Sequence, residues 1–317
     1  EVTVKGLELE RGTSEVVING RLPGFVAYVL GQEEILKIHG SLTARQLNVE
    51  DFMPASEGRG VPGDEPIIPG GLYLEMSSSI DQLGFGKFRA EQVRGILEIR
   101  ERRLMVSDLS LNTMQGKAFI NALADNSAGD LNVSAESNLE KINVKDLFAQ
   151  MNNFGQTTLR DSHIGGIATA TVSFSGKWKN RLENDLNSMK AACDVVIDRG
   201  ELKGFSPLLS LGKFVDVEEL ENISFSRLRA TVGISDQRIT IRETSVKNSA
   251  INLEFWGSHT FGHMVDYHFR LLMSDLLVTD QRRYEFGAEW RVDEASGDYN
   301  NDGKSDLILR SDMTGRV

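Results

Sequence analysis

The residues best suited to chemistry form an acidic stretch near the C-terminus, Asp298-Tyr-Asn-Asn-Asp-Gly-Lys-Ser-Asp306. Its oxygen-bearing side chains fall at positions 1, 3, 5 and 9 of a calcium-binding loop, with glycine at the turn position 6. These candidate ligands are Asp298, Asn300, Asp302 and Asp306. Position 12 is Leu309 instead of a bidentate Glu, and the residues around it alternate as a strand. The stretch predicts a calcium site, and a plain Asn/Asp/Gly hairpin turn remains the alternative.

Three other motifs have a functional spacing without the structural context that it needs. Gly58–Gly63 has the glycine pattern of a dinucleotide-binding loop, but the prolines around it exclude the helix that such a loop opens. Ser210 and Lys213 have a serine–lysine spacing, but the partner motifs of that enzyme class are missing from the sequence. His259, His263 and His268 are close in sequence, but alternation predicts strands there and argues against a shared metal site. We therefore predict no catalytic residue, no bound cofactor other than calcium and no enzymatic activity.

Composition bounds the class of protein. A formal net charge of -11 and a pI near 5.1 work against nucleic acid as a partner, because the far field repels phosphate backbones. The single cysteine, Cys193, excludes an intrachain disulfide and a cysteine-based metal site, and its alternating surroundings predict a small buried side chain. No apolar run approaches the ~18 residues that span a bilayer. Both ends fall inside alternating patterns, so we expect an anchoring segment outside this sequence.

Period-two alternation of apolar and polar residues dominates the chain and predicts strands with one apolar face. The predicted fold is mainly β, or β-rich α+β: an extended, curved antiparallel sheet that forms a groove, with a few short helices. We expect three strand faces to line this groove, and their apolar surface must be covered by helices, by a partner or by lipid. The candidate residues are Ala168, Ala170, Val172 and Phe174; Leu228, Ala230, Val232 and Ile234; and Val265, Tyr267, Phe269 and Leu271.

Helical periodicity is confined to short segments. Residues 143–153 have apolar side chains at helical spacing, and Asn143 with Asp146 resembles a cap at a helix start. Further short helices are expected within residues 206–220 and 46–52. Residues 53–71 hold four of the six prolines and predict an irregular loop. This loop separates an N-terminal β segment, residues 1–52, from a β-groove region, residues 72–317, which can be continuous with it.

Two sequence patterns recur within the chain, and we call these recurrences echoes. They indicate a sheet built from repeated groups of strands. The apolar pattern of residues 93–122 recurs 135 residues later, so that Leu97 matches Val232. Both copies are predicted to form a strand, a tight turn and two further strands. A shorter echo pairs residues 47–52 with residues 142–147, each where a strand passes into a short helix or loop. Shared strand periodicity can also produce both echoes by chance.

Several segments resemble the C-terminal region of AsmA-like proteins of the Bacteroidetes-type envelope. The first runs from Asn143-Val-Lys-Asp-Leu-Phe through Ile164-Gly-Gly-Ile-Ala-Thr-Ala, and the second from Gly200-Glu-Leu-Lys-Gly-Phe-Ser-Pro through residue 220. Three shorter segments, residues 248–253, 257–261 and 266–272, complete the pattern. The resemblance is clearest over residues 130–280, and its motifs are fold positions without catalytic residues.

The resemblance implies a non-enzymatic periplasmic protein of the Gram-negative envelope, anchored to the inner membrane through a segment outside this chain. Such proteins are linked to outer membrane biogenesis, and their β-groove is thought to guide lipid transport between the membranes. A phospholipid or another envelope lipid is then the expected partner. The chain departs from the family in its missing anchor, its proline-rich loop and its acidic stretch at residues 298–306.

Two other functions remain open from the sequence. The acidic stretch is also typical of a calcium-stabilised cell-surface adhesion or carbohydrate-binding module, although aromatic residues are only 7% of the chain and its three tryptophans are scattered. A glycoside hydrolase would use two carboxylates. With 46 acidic residues some carboxylate pair is inevitable, so the sequence gives this third function little support.

Overall fold

The computed structural model describes residues 1–52, 68–155, 159–179, 183–204, 221–247, 252–261, 265–271, 290–297 and 306–311. Within these residues the chain forms sixteen strands of one hydrogen-bonded sheet and two short α-helices. The strands are β1 (Val2–Arg11), β2 (Ser14–Leu22), β3 (Leu36–Asn48), β4 (Leu72–Phe85), β5 (Phe88–Arg100), β6 (Arg103–Thr113), β7 (Gly116–Asp125), β8 (Leu131–Asn143), β9 (Ile164–Lys179), β10 (Glu183–Lys203), β11 (Asn222–Ser235), β12 (Arg238–Lys247), β13 (Asn252–Thr260), β14 (Val265–Leu271), β15 (Trp290–Gly297) and β16 (Asp306–Ser311). The mainly β fold class predicted from alternation is confirmed.

The strands neighbour one another in chain order, except that β16 lies between β14 and β15. Antiparallel pairing joins β4 to β5 and each following pair as far as β8, and again each pair from β10 to β14. One pair departs from the expected antiparallel pattern, because β3 and β4 run parallel, from Leu36 opposite Leu72 to Asn48 opposite Gly84. A parallel pair needs a connection that crosses from one end of the sheet to the other. Residues 49–71 connect the two strands, and of these the structure describes 49–52 and 68–71.

The proline-rich stretch was predicted as an internal boundary. Residues 53–67 lie outside the described part of the chain, and β3 and β4 on either side of them are hydrogen-bonded neighbours. The contacts divide the chain elsewhere, into unit 1 (residues 1–142 and 171–190) and unit 2 (residues 143–170 and 191–317). The domain division at residues 53–71 stays a prediction.

Unit 1 has an apolar core on one face of its strands. Cross-strand pairing aligns Val16 with Ala44, Ala44 with Ile80 and Ile80 with Val93 across β2 to β5. Side chains that lie opposite each other on neighbouring strands share a face. Together with Leu111 and others these residues form one cluster, in which Val93 is only 2% exposed. We call this cluster the unit 1 core.

Unit 2 has its own core, formed by Val144, Ala168, Ile197, Phe225 and Val246. In this cluster the ring of Phe225 lies over Gly200, its cross-strand partner. A Cβ atom at residue 200 would fall 2.0 Å from that ring, so the packing requires glycine there. We call this cluster the unit 2 core.

The predicted internal repeat has a counterpart in the strand pairing. Leu97 pairs with Val106 in unit 1, and the residues 135 positions later, Val232 and Ile241, pair in unit 2. The following strand pair is interrupted by a β-bulge after Val106 in one unit and after Ile241 in the other. Two-residue turns with positive φ, at residues 101–102 and 236–237, close the equivalent hairpins. Strands, turns, register and bulge therefore all recur at the same spacing.

The helices are short, as expected. The helix α2 (Val144–Gln150) begins where it was predicted, and the Asn143 Oδ1 atom accepts a hydrogen bond from the Asp146 amide at 3.1 Å. A second helix, α1 (Phe25–Val29), was not expected, and the segment 46–52 ends in a 3-10 turn at Val49–Phe52. Residues 205–220, where another helix was predicted, lie outside the described residues. None of the described helices has the length and apolar character that a membrane crossing requires.

Candidate functional site: an apolar face of the sheet

Strand register decides which of the twelve predicted lining residues share a face. In unit 2, Val232 on β11 pairs with Ile241, Ile241 with Gly257, and Gly257 with Tyr267 on β14. Because opposite residues lie on the same side of a sheet, this row joins the predicted residues of β11 to those of β14.

A second row lies beside the first. Ile234 pairs with Ile239, Ile239 with His259, and His259 with Val265. Alternation then puts Leu228 and Ala230 on the same side of β11. We call this surface, which runs from β11 to β14 within unit 2, the β11–β14 face.

Exposure varies along the predicted lining residues. Leu228, Ala230, Val232 and Ile234 are all partly buried, and Tyr267 is 9% exposed. The strand β14 includes Val265, Phe269 and Leu271, but their side chains are not among those the structure describes. Among the predicted lining residues of this face whose side chains are described, those of β11 stay partly exposed and Tyr267 does not.

The four predicted residues of β9 have a different setting. Ala168 belongs to the unit 2 core at 4% exposure and Ala170 is 7% exposed, so both are sealed. Val172 and Phe174 are partly buried and fall in the stretch of β9 that belongs to unit 1. The structure therefore connects Ala168 to the predicted lining residues of β11 through core packing, since Leu228 also packs against that core.

The helix α2 covers one end of the apolar surface of unit 2. Its Val144 is 2% exposed inside the unit 2 core, and Phe148 packs against the same cluster. Phe148 also meets Phe154 edge to face, with ring centroids 5.2 Å apart. This end of the surface is a closed hydrocarbon core, in contrast to the partly exposed row on β11.

The polar groups on the β11–β14 face are held in their neutral forms. The His259 Nδ1 atom lies 2.8 Å from the Tyr267 hydroxyl, and the two act as one hydrogen-bonded pair. Burial lowers the pKa of His259 and raises the pKa of Tyr267 to about 12. Both shifts favour the uncharged form, since desolvation penalises charge. The face thus keeps its apolar character at neutral pH.

Cys193 lies on this same face, opposite Val232. It is partly buried, and burial raises the pKa of its thiol. A protonated thiol packs as a small apolar side chain, although Cys193 is less buried than predicted.

The described histidines do not form a common site. His268 stacks on Trp256, with ring centroids 5.3 Å apart, on the side of the sheet opposite to His259. His263 lies outside the described residues. Among the residues that the structure describes, no group of three metal-binding side chains occurs.

The predicted calcium loop falls between β15 and β16. These strands are antiparallel neighbours, and Gly297 pairs with Asp306, which opens β16 as the sequence predicted. Residues 298–305, with Asp298, Asn300 and Asp302, lie outside the described part of the chain. The calcium site stays a prediction.

Sequence reasoning did not select a lining surface in unit 1. There the equivalent strands, β5 to β7, place Val93, Leu111 and Ala118 in the unit 1 core. The 135-residue repeat was the available signal, since Leu111 corresponds to Val246 of the unit 2 core.

Comparisons with protein-family models, with curated proteins and with solved structures gave no match to this chain.

Proposed function

We propose that this protein guides lipid acyl chains along the β11–β14 face without catalysing a reaction. The observation that carries the proposal is the pair of cross-strand rows that join β11 to β14 in one apolar surface. Contiguous apolar surface that is not fully covered by the protein usually marks a site that binds an apolar partner.

Two further features support a lipid partner. The titratable pair on the face, His259 and Tyr267, is shifted toward its neutral forms, so an acyl chain meets no charge there. The side chains in the rows are mostly aliphatic, and an acyl chain needs contact area without directional hydrogen bonds.

The proposed setting follows from the resemblance to AsmA-like proteins. In it the protein acts in the periplasm in outer membrane biogenesis, anchored to the inner membrane through a segment outside this chain. The proposed ligand is a phospholipid or another envelope lipid, and nucleic acid is not a partner, which agrees with the net charge of -11.

Site-specific photocrosslinking tests the proposal. A photoreactive residue at Val232 should form adducts with lipid in cells that express the full-length protein. The matched control is Arg229, an exposed residue on the opposite side of the same strand. Adducts at residue 232 and none at residue 229 would support the proposal. Equal labelling at both positions, or no lipid adduct at residue 232, would contradict it.

A further inference from the structure

A cavity of about 270 Å³ opens on the face of unit 1 opposite its apolar core. It is lined by Gln92, Arg94, Ser110, Asn112, Lys117 and Phe119, and also by Leu111. On β6 and β7 the other lining residues alternate with Leu111 and Ala118, which belong to the unit 1 core. Apart from Leu111, which belongs to the core and also lines the cavity, the lining residues therefore lie on the side of the strands opposite to the core. We call it the β5–β7 cavity.

Every polar residue that lines the β5–β7 cavity carries a hydrogen-bond donor, and no carboxylate lines it. The Asn112 Nδ2 atom donates to the Gln92 Oε1 atom at 2.8 Å. Because this bond engages the amide oxygen of Gln92, its NH₂ group is the part of the side chain that can donate a hydrogen bond to a ligand. The strand is irregular at this point, with Gln92 at φ 52° and a register shift between Glu91 and Arg94. Such bulges redirect side chains.

The two cations of the cavity lack counter-ions. Among the described residues, Arg94 and Lys117 take part in no ion pair. Two carboxylates lie beside the cavity in the strand register, Glu91 opposite Asn112 and Glu140 opposite Lys117, and neither forms an ion pair with the cations. Other exposed cations of unit 1, such as Lys5 and Arg11, also take part in no ion pair among the described residues. What distinguishes Arg94 and Lys117 is that they line one cavity together with neutral hydrogen-bond donors.

The repeat supplies an internal comparison. The residue that corresponds to Gln92 in unit 2 is Arg227, which forms an ion pair with Asp198 at 2.6 Å. The residue that corresponds to Phe119 is Glu254, which pairs with Arg270 at 2.5 Å. Unit 2 thus has ion pairs at these two positions, whereas Arg229, which corresponds to Arg94, is exposed and takes part in no ion pair among the described residues.

We propose that the β5–β7 cavity binds a small phosphate-bearing molecule. The planar guanidinium of Arg94 offers two parallel donors to phosphate oxygens, and Lys117 adds a second positive charge. Gln92, Ser110 and Asn112 supply neutral donors around them. Phe119, which is 41% exposed, offers an apolar contact for the carbon part of the ligand. This site is independent of the β11–β14 face, which lies in the other unit.

Phosphate titration followed by NMR tests the site in the full chain. Inorganic phosphate and glycerol 3-phosphate are added in turn at constant ionic strength, with chloride as the reference salt. We expect saturable shifts of the backbone amides of Ser110, Asn112 and Lys117. The double variant Arg94→Gln/Lys117→Gln should weaken binding at least tenfold. Arg94→Lys keeps the positive charge but removes the two parallel donors of the guanidinium, so it should weaken phosphate binding less than the double variant does.

The control is Lys5→Gln/Arg11→Gln, which removes the same charge from β1. That strand lies four positions from β5 in the sheet, roughly 19 Å away at the usual strand spacing. It should bind phosphate within twofold of the wild type, and thermal melting checks that each variant folds. Shifts of the same size with chloride, unchanged binding in the cavity variant, or an equal loss in the control would each overturn the proposal.

A second arm identifies the source of the phosphate. Vesicles of phosphatidic acid in phosphatidylcholine are tested by flotation with the wild type and the cavity variant. Flotation that the cavity substitutions abolish assigns the site to a lipid headgroup. Binding of glycerol 3-phosphate without flotation assigns it to a soluble phosphate ester.

Discussion

A carboxylate placed on the β11–β14 face distinguishes an open lipid-facing surface from a sealed core. The test variant is Val232→Asp, and Val93→Asp is its reference, because Val93 is 2% exposed in the unit 1 core whereas Val232 is partly buried. Both changes replace the same side chain, so the difference between them reports the environment.

The expected losses follow from burial. Removing a fully buried valine side chain costs about 1.5 kcal/mol. An aspartate with no partner at Val93 must in addition be neutralised, which at pH 7 means raising its pKa by about 3 units, or about 4 kcal/mol. We expect Val93→Asp to lower the free energy of unfolding by about 5 kcal/mol. At Val232 the carboxylate can stay hydrated, so the loss should be about 1–2 kcal/mol.

Thermal melting at pH 7 measures both losses. For units of this size about 1 kcal/mol corresponds to 2–4 °C, so Val93→Asp should lower the melting temperature by about 10–20 °C and Val232→Asp by about 2–8 °C. Alanine at each position separates lost packing from the effect of the charge. If Val232→Asp is as damaging as Val93→Asp, the β11–β14 face is a closed core and the lipid proposal fails.

Three further predictions concern pH, calcium and packing. Hydrogen bonds from Ser127 and Arg103 lower the pKa of Asp125 to about 2. The ionised carboxylate therefore stabilises the fold fully above about pH 4, and this stabilisation is lost as the pH falls toward 2. Between pH 4 and 2 the melting temperature of Asp125→Asn should fall less than that of the wild type. Excess Ca²⁺ should raise the melting temperature of the wild type but not of Asp302→Ala, and identical wild-type melting in Ca²⁺ and in chelator would exclude the site. Gly200→Ala should lower the free energy of unfolding by about 1–3 kcal/mol in a denaturant titration, because the new Cβ atom would meet the Phe225 ring. Gly233→Ala is the control and should be neutral, because no atom would lie closer than 4.0 Å to its Cβ. Equal effects of the two substitutions would contradict this packing.

Alternation carried most of the fold information in this sequence. It identified β11 and β14 as strands with one apolar side, and a capping pattern located α2 through Asn143 and Asp146. Both are local signals, since strand periodicity and capping depend on residues within a few positions of one another.

The features that the sequence did not predict depend mostly on contacts between segments that are distant along the chain. For β3 and β4, which pair in parallel, the composition of residues 49–71 predicts a loop between the strands but not the direction of the strand that follows it. The helix α1 at Phe25–Val29 has no side-chain cap to signal it. For the candidate site, alternation could say that Val232 and Tyr267 each face an apolar side, but only the register through β12 and β13 puts them on one surface.

The repeat separates what the strand arrangement requires from what each unit adds to it. On the core side the two copies carry equivalent apolar residues, such as Leu111 and Val246, because a strand pair of this kind must bury one face to fold. On the opposite side nothing constrains the residues in the same way, and the copies differ: Glu254 of unit 2 forms an ion pair with Arg270, whereas the corresponding residue of unit 1, Phe119, lines the β5–β7 cavity. A difference confined to the unconstrained side is where a function specific to one copy can arise. This is why we place the proposed ligand at the β5–β7 cavity, on the unconstrained side, while the apolar core of unit 1 indicates only the fold.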